Sequence, residues 1–218
     1  MMSPGFTGWS EPTAATGCGR YLIMPRDLSV APGGNSLIVQ PIPEAKVLRV
    51  KGSATLATHS GGGDPELKGM AAGAQVEIRV NCTRPGGGAK GWPTKGKVEV
   101  RTLASADGKY YTAIGYDFAS PTDGFYADHT HCCAKPNTVV QKALTPTLDS
   151  VLGTGKSLEL TVFVDSGLIE AFALGRVITP LLNPDVAAGG LPAARVTTFV
   201  NTAGAGVTCT VGSFVLKY

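Results

Sequence analysis

The sequence has few charged residues, no long apolar run and no segment with helical periodicity. Charged residues occupy 16% of its 218 positions, too few for a charged disordered tail or a coiled coil. No uninterrupted apolar run approaches the about 18 residues of a membrane-spanning helix, so no membrane partner is expected. The formal net charge is +3 without any block of lysine or arginine, which gives no reason to expect nucleic acid as a partner.

Cysteine is also scarce, and the N-terminus lacks the features of a leader. The five cysteines are too few for a disulfide-dense scaffold, and their odd number leaves at least one thiol unpaired within the chain. They are Cys18, Cys82, Cys132, Cys133 and Cys209. Neither a basic region nor an apolar stretch opens the sequence, so no secretory signal is visible. The sequon Asn81-Cys82-Thr83 matters only if the chain is secreted.

Glycine and proline, by contrast, are abundant, and apolar residues alternate with polar ones. The chain holds 29 glycines and 15 prolines, well above average usage. Segments such as Val76–Val80, Val98–Arg101 and Leu158–Val162 alternate with the two-residue period of half-buried strands. Short strands separated by turn clusters, without helices, predict an all-β fold of two antiparallel sheets packed as a β-sandwich. No boundary divides the chain, so we expect one module over residues 1–218, with a linker-like segment at 1–20.

Local turn signals predict where some strands pair. Asp107-Gly108 lies between the β-rich segments Val98–Leu103 and Lys109–Tyr116, which predicts a hairpin. The run Lys46–Thr58 is also rich in β-forming residues and is predicted to be extended.

The segment from Leu158 to Ala173 carries the most information. A two-residue turn at Ser166-Gly167 makes Asp165 face Leu168, pairs Phe163 with Glu170 and pairs Thr161 with Phe172. Alternation then places one set of side chains in the core: Leu160, Val162, Val164, Ile169 and Ala171. The opposite face receives Phe163, Asp165, Leu168, Glu170 and Phe172.

Two carboxylates among aromatic rings favour three different interpretations. Asp165 and Glu170 are diagonal neighbours about 7–8 Å apart at the backbone. Carboxylates accept hydrogen bonds from sugar hydroxyls while a ring packs on the sugar face, which suggests carbohydrate binding. A glycosidase also needs a carboxylate pair, at about 5–5.5 Å or 6.5–9.5 Å. In the third interpretation both groups are structural, bonding to backbone groups at a turn or pairing with Arg176.

The segment Val164–Phe172, followed by Gly175–Thr179 and Pro184, resembles the signature of the C-terminal β-sandwich of glycoside hydrolase family 32. This family contains invertases, inulinases, levanases and fructan exohydrolases. Further pieces resemble the family in the same order: Met24–Ser29, Leu37–Glu44, Ile114–Asp117, Phe125–Thr130 and Phe199–Thr202. Pro25-Arg26 resembles the pair that opens the first sandwich strand after the catalytic propeller. The resemblance implies a jelly-roll or concanavalin-like sandwich.

The catalytic motifs of that family do not occur in this sequence. They are an aspartate in Asn-Asp-Pro-Asn-Gly, an Arg-Asp-Pro aspartate and a Glu-Cys acid/base, and all belong to an N-terminal propeller. We therefore assign no catalytic residue and expect this chain alone not to release fructose from sucrose, inulin or levan. A parent protein that included the propeller would be a glycosidase of the β-fructofuranosidase type.

The resemblance also suggests carbohydrate-binding residues. Asp128 and Glu170 match polar positions that levan-binding modules direct at a terminal fructose, and His129 stands where the family has arginine. Together with Asp165 and Trp92 they are the candidate carbohydrate-binding set. Trp92 lies in a glycine-rich loop and is either a stacking platform for a sugar or a cap on the edge of the core.

A cluster of metal-ligating residue types is assigned no metal. His129-Thr130-His131-Cys132-Cys133 packs four such residues together, but no second ligand group with metal-site spacing accompanies it. No metal and no cofactor are expected.

The sequence therefore predicts a non-catalytic β-sandwich module related to fructan and sucrose hydrolases. Its expected partner is a fructose-containing carbohydrate or a catalytic propeller that it stabilises. One alternative is a fragment of a β-fructofuranosidase-type hydrolase whose catalytic domain lies on other sequence. Another is a structural or interaction protein that reuses the sandwich. The family is usually extracellular or vacuolar.

Overall fold

The computed structural model describes ten stretches of the chain, which form an antiparallel β fold. They are residues 23–51, 55–60, 75–84, 91–105, 107–132, 138–148, 157–165, 168–180, 196–201 and 206–217. The predicted linker-like segment 1–20 and the predicted turn Ser166-Gly167 lie outside them. Within these stretches, no helix is long and apolar enough to cross a membrane.

The described residues form thirteen strands in one two-stranded hairpin and two larger sheets. The hairpin pairs β1 (Arg26–Val30) with β2 (Leu37–Pro41). The remaining strands are β3 (Thr55–Ser60), β4 (Gln75–Thr83), β5 (Lys97–Ala104), β6 (Thr112–Asp117), β7 (Phe125–Asp128), β8 (Val140–Ala143), β9 (Leu158–Asp165), β10 (Leu168–Ala173), β11 (Arg176–Ile178), β12 (Val196–Asn201) and β13 (Thr208–Val215). One sheet has the order β11-β10-β9-β4-β13-β3 and the other β12-β5-β6-β7-β8. The predicted two-sheet antiparallel β-sandwich is confirmed.

The main core lies between the inner faces of the two large sheets. Strands β4 and β9 contribute alternate residues such as Ile78 and Val162, and the five-stranded sheet contributes Val100, Ile114 and Phe125. All five of these side chains are fully buried. Alternation along each strand sends the intervening polar residues to the outer faces, because successive side chains of a strand point to opposite sides of the sheet.

Both hairpins predicted from turn signals are present. Strands β9 and β10 pair with Asp165 opposite Leu168, Phe163 opposite Glu170 and Thr161 opposite Phe172, the predicted register. Their inward side chains join the main core as expected. Strands β5 and β6 also pair antiparallel, and the loop between them closes with hydrogen bonds from Ser105 N to Tyr110 O and from Gly108 N to Ser105 O.

The extended run predicted at Lys46–Thr58 is partly wrong. Residues Pro43–Leu48 form a short 3₁₀ helix, and strand β3 begins only at Thr55. Pro43 explains the start, because proline fixes φ near the helical value and is well suited to the first turn. The turn buries Ala45 against the outer face of the six-stranded sheet, a contact that the local sequence pattern does not reveal.

Residues 23–50, which we call the N-terminal arm, cover part of that outer face. The arm contains the β1–β2 hairpin and the 3₁₀ helix. A second apolar cluster joins it to the sheet and consists of Met24, Ala45, Phe163, Phe172 and Leu216. At the edge of the sheet, Val39 N donates to Gly175 O at 3.0 Å, and a Cβ at Gly175 would lie 3.2 Å from Ile38. The arm is thus packed on the sandwich and is also hydrogen-bonded to it at its far end, where Val50 N donates to Val215 O of β13 at 2.9 Å and Lys217 N donates to Leu48 O at 2.8 Å.

A disulfide joins the six-stranded sheet across two neighbouring strands. Cys82 on β4 and Cys209 on β13 are directly opposite each other and 127 residues apart in sequence. Both side chains are fully buried in the main core.

Candidate functional site

Glu170 is the best-connected of the predicted site residues, and its partners all lie on or near the N-terminal arm. It sits on β10 with 3% of its surface exposed. One carboxylate oxygen accepts the backbone N–H of Met24 at 2.5 Å, and the other accepts Arg26 Nη2 at 2.6 Å. The same Arg26 nitrogen donates to Thr179 Oγ1 at 2.8 Å. Glu170 is therefore a structural anchor for the beginning of the arm.

A second glutamate repeats this arrangement on the next-but-one strand. Glu77 on β4 is buried and accepts two parallel hydrogen bonds, from Arg49 Nε and Nη2, both at 2.6 Å. Such bidentate arginine–carboxylate pairs are among the strongest charge-assisted hydrogen bonds. The Arg49 guanidinium also lies over the Phe214 ring at 4.1 Å. Arg49 belongs to the end of the arm, so this pair fixes the opposite end.

The two glutamates flank one phenylalanine in a single row across three strands. Phe163 on β9 is paired with Glu77 of β4 on one side and with Glu170 of β10 on the other. Phe163 packs edge-on against Phe172, with 6.1 Å between ring centroids. We call Glu77, Phe163 and Glu170, with Arg26 and Arg49, the arm clamp. Sequence analysis missed Glu77, although the alternation of Val76–Val80 was a signal that placed it on the outer face.

Asp165 lies on the same face but outside the clamp. It ends β9, is half-buried, and accepts a hydrogen bond from Gln75 Nε2 at 3.2 Å. Arg176, the alternative partner considered for these carboxylates, instead donates to three backbone carbonyls: Leu144 O at 3.0 Å, Leu37 O at 2.7 Å and Gly175 O at 3.3 Å. The arginine that pairs with Glu170 is therefore Arg26 rather than Arg176.

Asp128 and His129 lie at the end of β7 in the other sheet. Asp128 Oδ1 accepts both the backbone N–H and the hydroxyl of Thr130, at 2.8 and 2.7 Å, which closes a local turn. His129 is 3% exposed, and neither ring nitrogen has a hydrogen-bond partner among the described residues. Burial lowers the pKa of His129 below its ordinary 6.5, although the neighbouring Asp128 charge opposes that shift. The imidazole is neutral at pH 7 and directed inward.

Trp92 caps the edge of the core, as one of the two sequence interpretations proposed. It is 6% exposed and stacks parallel to Phe118 with 6.1 Å between centroids. Arg84 covers its ring at 5.6 Å. The five predicted carbohydrate-binding residues therefore occupy separate places: two on the outer face of the six-stranded sheet, two at the end of β7, and one in the core.

The outer face of the five-stranded sheet carries a charged cluster that sequence analysis did not single out. Glu99 on β5 accepts hydrogen bonds from Tyr126 Oη at 2.7 Å and Arg101 Nε at 2.8 Å, and pairs with Lys97 at 2.8 Å. Burial by itself raises the pKa of Glu99, but the hydrogen bonds from Lys97, Tyr126 and Arg101 outweigh it and the pKa is lowered. Burial and the Glu99 charge raise the pKa of Tyr126 well above its ordinary 10.0.

Gly115 permits this cluster to form. It lies between Glu99 on β5 and Tyr126 on β7. A Cβ at this position would be 2.1 Å from Val98 O and 2.8 Å from the Glu99 Cα, closer than side chains and backbone can approach. Glycine is therefore required here by the close approach of the neighbouring strand.

An open cleft of about 1090 Å³ lies between the N-terminal arm and the exposed end of the six-stranded sheet. Its polar walls include Lys46, Arg79, Glu159 and Thr161, and none of the five predicted carbohydrate-binding residues lines it. Among the residues that the structure describes, no three His, Cys, Asp or Glu side chains lie together as a metal site.

Comparison with known proteins identifies the family. The profile of the glycosyl hydrolases family 32 C-terminal domain matches residues 44–212. The chain belongs to this family. No curated protein sequence matches the chain.

Solved structures show that the family 32 C-terminal sandwich is also the fold of this chain. Fructan 1-exohydrolase IIa from Cichorium intybus is 18% identical with a TM-score of 0.66, over 89% of this chain and 40% of that one. Exo-inulinase from Aspergillus awamori is 18% identical with a TM-score of 0.62, over 89% and 35%. Sucrose-6-phosphate hydrolase from Lactobacillus gasseri is 15% identical with a TM-score of 0.55, over 88% and 33%. The chain spans 40% or less of the length of these three structures.

Proposed function

We propose that this chain is the non-catalytic sandwich of a family 32 enzyme and that it stabilises a catalytic propeller. The proposal rests on an exposed apolar patch among the described residues, most of which lies on the arm. The patch consists of Leu28, Val30 and Leu37 on the β1–β2 hairpin and Leu144 after β8. Each of these side chains is more than half exposed.

One arginine bridges the backbone of the two parts of the patch. Val30 and Leu37 are a cross-strand pair on one face of the hairpin. Arg176 donates to the carbonyl oxygens of both Leu37 and Leu144, so one guanidinium holds these two residues near each other. Clustered exposed apolar side chains of this kind are typical of protein–protein contact surfaces.

Two observations support a propeller as the occupant. In each of the matched family 32 structures, more than half of the chain lies outside the part that resembles this protein. The patch lies mainly on the arm, which precedes all strands of the two large sheets in sequence. The arm clamp holds that segment against the sandwich, so a domain joined before the arm would be connected rigidly to the sandwich.

The test compares two lengths of protein. The transcript is read upstream of Met1, and the longer chain is produced beside the 218-residue chain, each with and without Leu28→Ser, Val30→Ser and Leu37→Ser. We expect the triple substitution to lower the Tm of the longer chain by several degrees and to leave the short chain nearly unchanged. Val47→Ser, at an exposed position on the 3₁₀ helix, is the matched control. An upstream sequence without a propeller, or equal effects on both chains, contradicts the proposal.

Carbohydrate binding is a second candidate, favoured by the cleft. Arg79, Glu159 and Thr161 offer hydrogen-bonding groups along an open groove, the kind of lining that suits a chain of hydroxyls. NMR titration with fructose, sucrose, inulin and levan at millimolar concentration tests it. Shifts at Arg79 and Thr161 indicate the cleft, shifts at Asp128 or Asp165 indicate the residues predicted from sequence, and no shift rejects sugar binding.

A further inference from the structure

Asn81 stands on the outer face of the six-stranded sheet, where its side chain is exposed. It lies on β4 between two fully or nearly fully buried residues, Val80 and Cys82, and its own side chain is exposed. Its cross-strand neighbours are Glu159 on β9 and Thr210 on β13. Glu159 is exposed and Thr210 half-exposed, so a group attached to Asn81 extends into solvent without displacing a packed side chain.

Asn81 also begins the only Asn-x-Ser/Thr sequon of the sequence, Asn81-Cys82-Thr83. The middle residue of the sequon is one half of the Cys82–Cys209 disulfide. Disulfides form and persist mainly in oxidising compartments, the secretory lumen among them. The disulfide thus favours a compartment of the kind in which asparagine is glycosylated, and the sequon supplies the acceptor residue.

We propose that Asn81 is an N-glycosylation site of this protein. In the transfer, Asn81 Nδ2 forms a bond to C1 of the first sugar of an oligosaccharide carried on a lipid pyrophosphate. The bond from C1 to the pyrophosphate oxygen breaks, the lipid pyrophosphate leaves, and the amide nitrogen loses one proton. Thr83 is the third residue of the sequon. Its side chain is exposed in the folded chain, and its hydroxyl donates to Thr208 O at 3.3 Å.

The strand order fixes when the glycan is added. In the folded sheet, Asn81 is held between β9 and β13, so its backbone is no longer free to enter a transferase. Strand β13 is the last strand among the described residues, and Cys209 follows Cys82 by 127 residues. At roughly 5–20 residues per second, synthesis leaves seconds between the emergence of the sequon and the closing of the sheet. Glycosylation therefore precedes the disulfide.

To test this, the full chain is fused to a cleavable secretion leader and secreted from yeast. We expect a mobility shift that digestion with peptide-N-glycosidase removes, leaving Asp at position 81 in the tryptic peptide. Asn81→Gln and Thr83→Ala should each abolish the shift, because either change destroys the sequon. Asn35→Gln, at an exposed asparagine outside any sequon, is the matched control and should leave the shift intact.

The disulfide supplies a second readout on the same material. Glycosylated chains should contain the Cys82–Cys209 bond and unfold at the same temperature as the Asn81→Gln variant within about 1 °C, since exposed surface changes alter stability little. An unshifted secreted chain that contains the disulfide overturns the proposal. A glycan found only on chains without the disulfide also overturns it, because the folded module would then exclude the modification.

Discussion

Removing Arg26 from the arm clamp should cost far more stability than neutralising its partner Glu170. Arg26→Met keeps the length of the side chain but leaves the Glu170 carboxylate buried with only the Met24 N–H as a strong donor. Breaking a buried ion pair from one side typically costs about 3–5 kcal/mol. The Arg26 side chain is 22% exposed against 4% for Glu170, so we expect a cost near the lower limit, about 3 kcal/mol.

Glu170→Gln perturbs the same contacts but leaves only the Arg26 charge, which is partly exposed to solvent, instead of a buried carboxylate. The amide oxygen still accepts a hydrogen bond from Met24 or Arg26, so the expected cost is about 1–2 kcal/mol. In the double variant neither charge remains, and we expect a total cost of about 2–3 kcal/mol. This total is smaller than the sum of the two single costs by about 2 kcal/mol, the size of coupling found for contacting residues.

Urea denaturation measures these differences, and the m-value shows which part of the structure is lost. If the arm detaches before the sandwich unfolds, Arg26→Met should also lower m, because m scales with the surface exposed in the transition. Arg176→Met is the control, since it removes an arginine that bonds only carbonyl oxygens in the contacts described here. We expect it to cost about 1 kcal/mol. Additive single costs, or an Arg26→Met cost equal to that of the control, would refute the clamp.

Three further predictions concern other parts of the sandwich. Gly115→Ala should lower the free energy of unfolding by about 3 kcal/mol, the upper range for overpacking, because the added Cβ would meet backbone atoms. The control Gly33→Ala, where no atom lies within 4 Å of the added Cβ, should cost about 1 kcal/mol when the two variants are compared by thermal melting. The unfolded chain protonates His129 as pH falls through 6.5, whereas burial keeps the folded ring neutral, so stability should decline below pH 6.5. His129→Leu should remove that part of the pH dependence and raise the free energy of unfolding by about 1 kcal/mol at pH 7. Urea titrations from pH 7 to 5 measure this, and a variant whose stability depends on pH as the wild type's does would contradict it. Replacing both Cys82 and Cys209 by alanine should lower the free energy of unfolding by about 2–5 kcal/mol in a denaturant titration, because the disulfide closes a loop of over a hundred residues. An equal loss of stability when the wild type is reduced supports the disulfide, and no loss in the variant rejects it.

Sequence reasoning succeeded where the deciding interactions are local. The register of β9 and β10 follows from a two-residue turn and strict alternation, and a slip of one residue would turn every core side chain outward. The same reasoning placed Phe163 and Glu170 together on the outer face. It failed at residues 46–48, which were predicted to be extended but belong to a 3₁₀ helix that begins at Pro43 and packs Ala45 on a distant strand face.

The candidate site was harder to predict because its contacts join residues far apart in sequence. Glu170 and Arg26 are separated by 144 positions, so the spacing around Glu170 pointed to nearby Arg176 instead. Glu77 went unnoticed because a glutamate on an alternating strand has no unusual local feature. His129 and Trp92 carry groups suited to ligand contacts, yet the packing of the two sheets buries both of them.

The sequence by itself determined the all-β class, the pairing of neighbouring strands and the family, since alternation, turn residues and short motifs are encoded within a few tens of residues. Tertiary structure alone decided what the polar side chains do. A carboxylate on an outer strand face is equally able to bind sugar, water or an arginine, and only the path of the N-terminal arm across that face brings Arg26 and Arg49 within 2.6 Å of Glu170 and Glu77. The energy of a buried charge depends on its partner in space, and the neighbouring residues of the chain do not specify that partner.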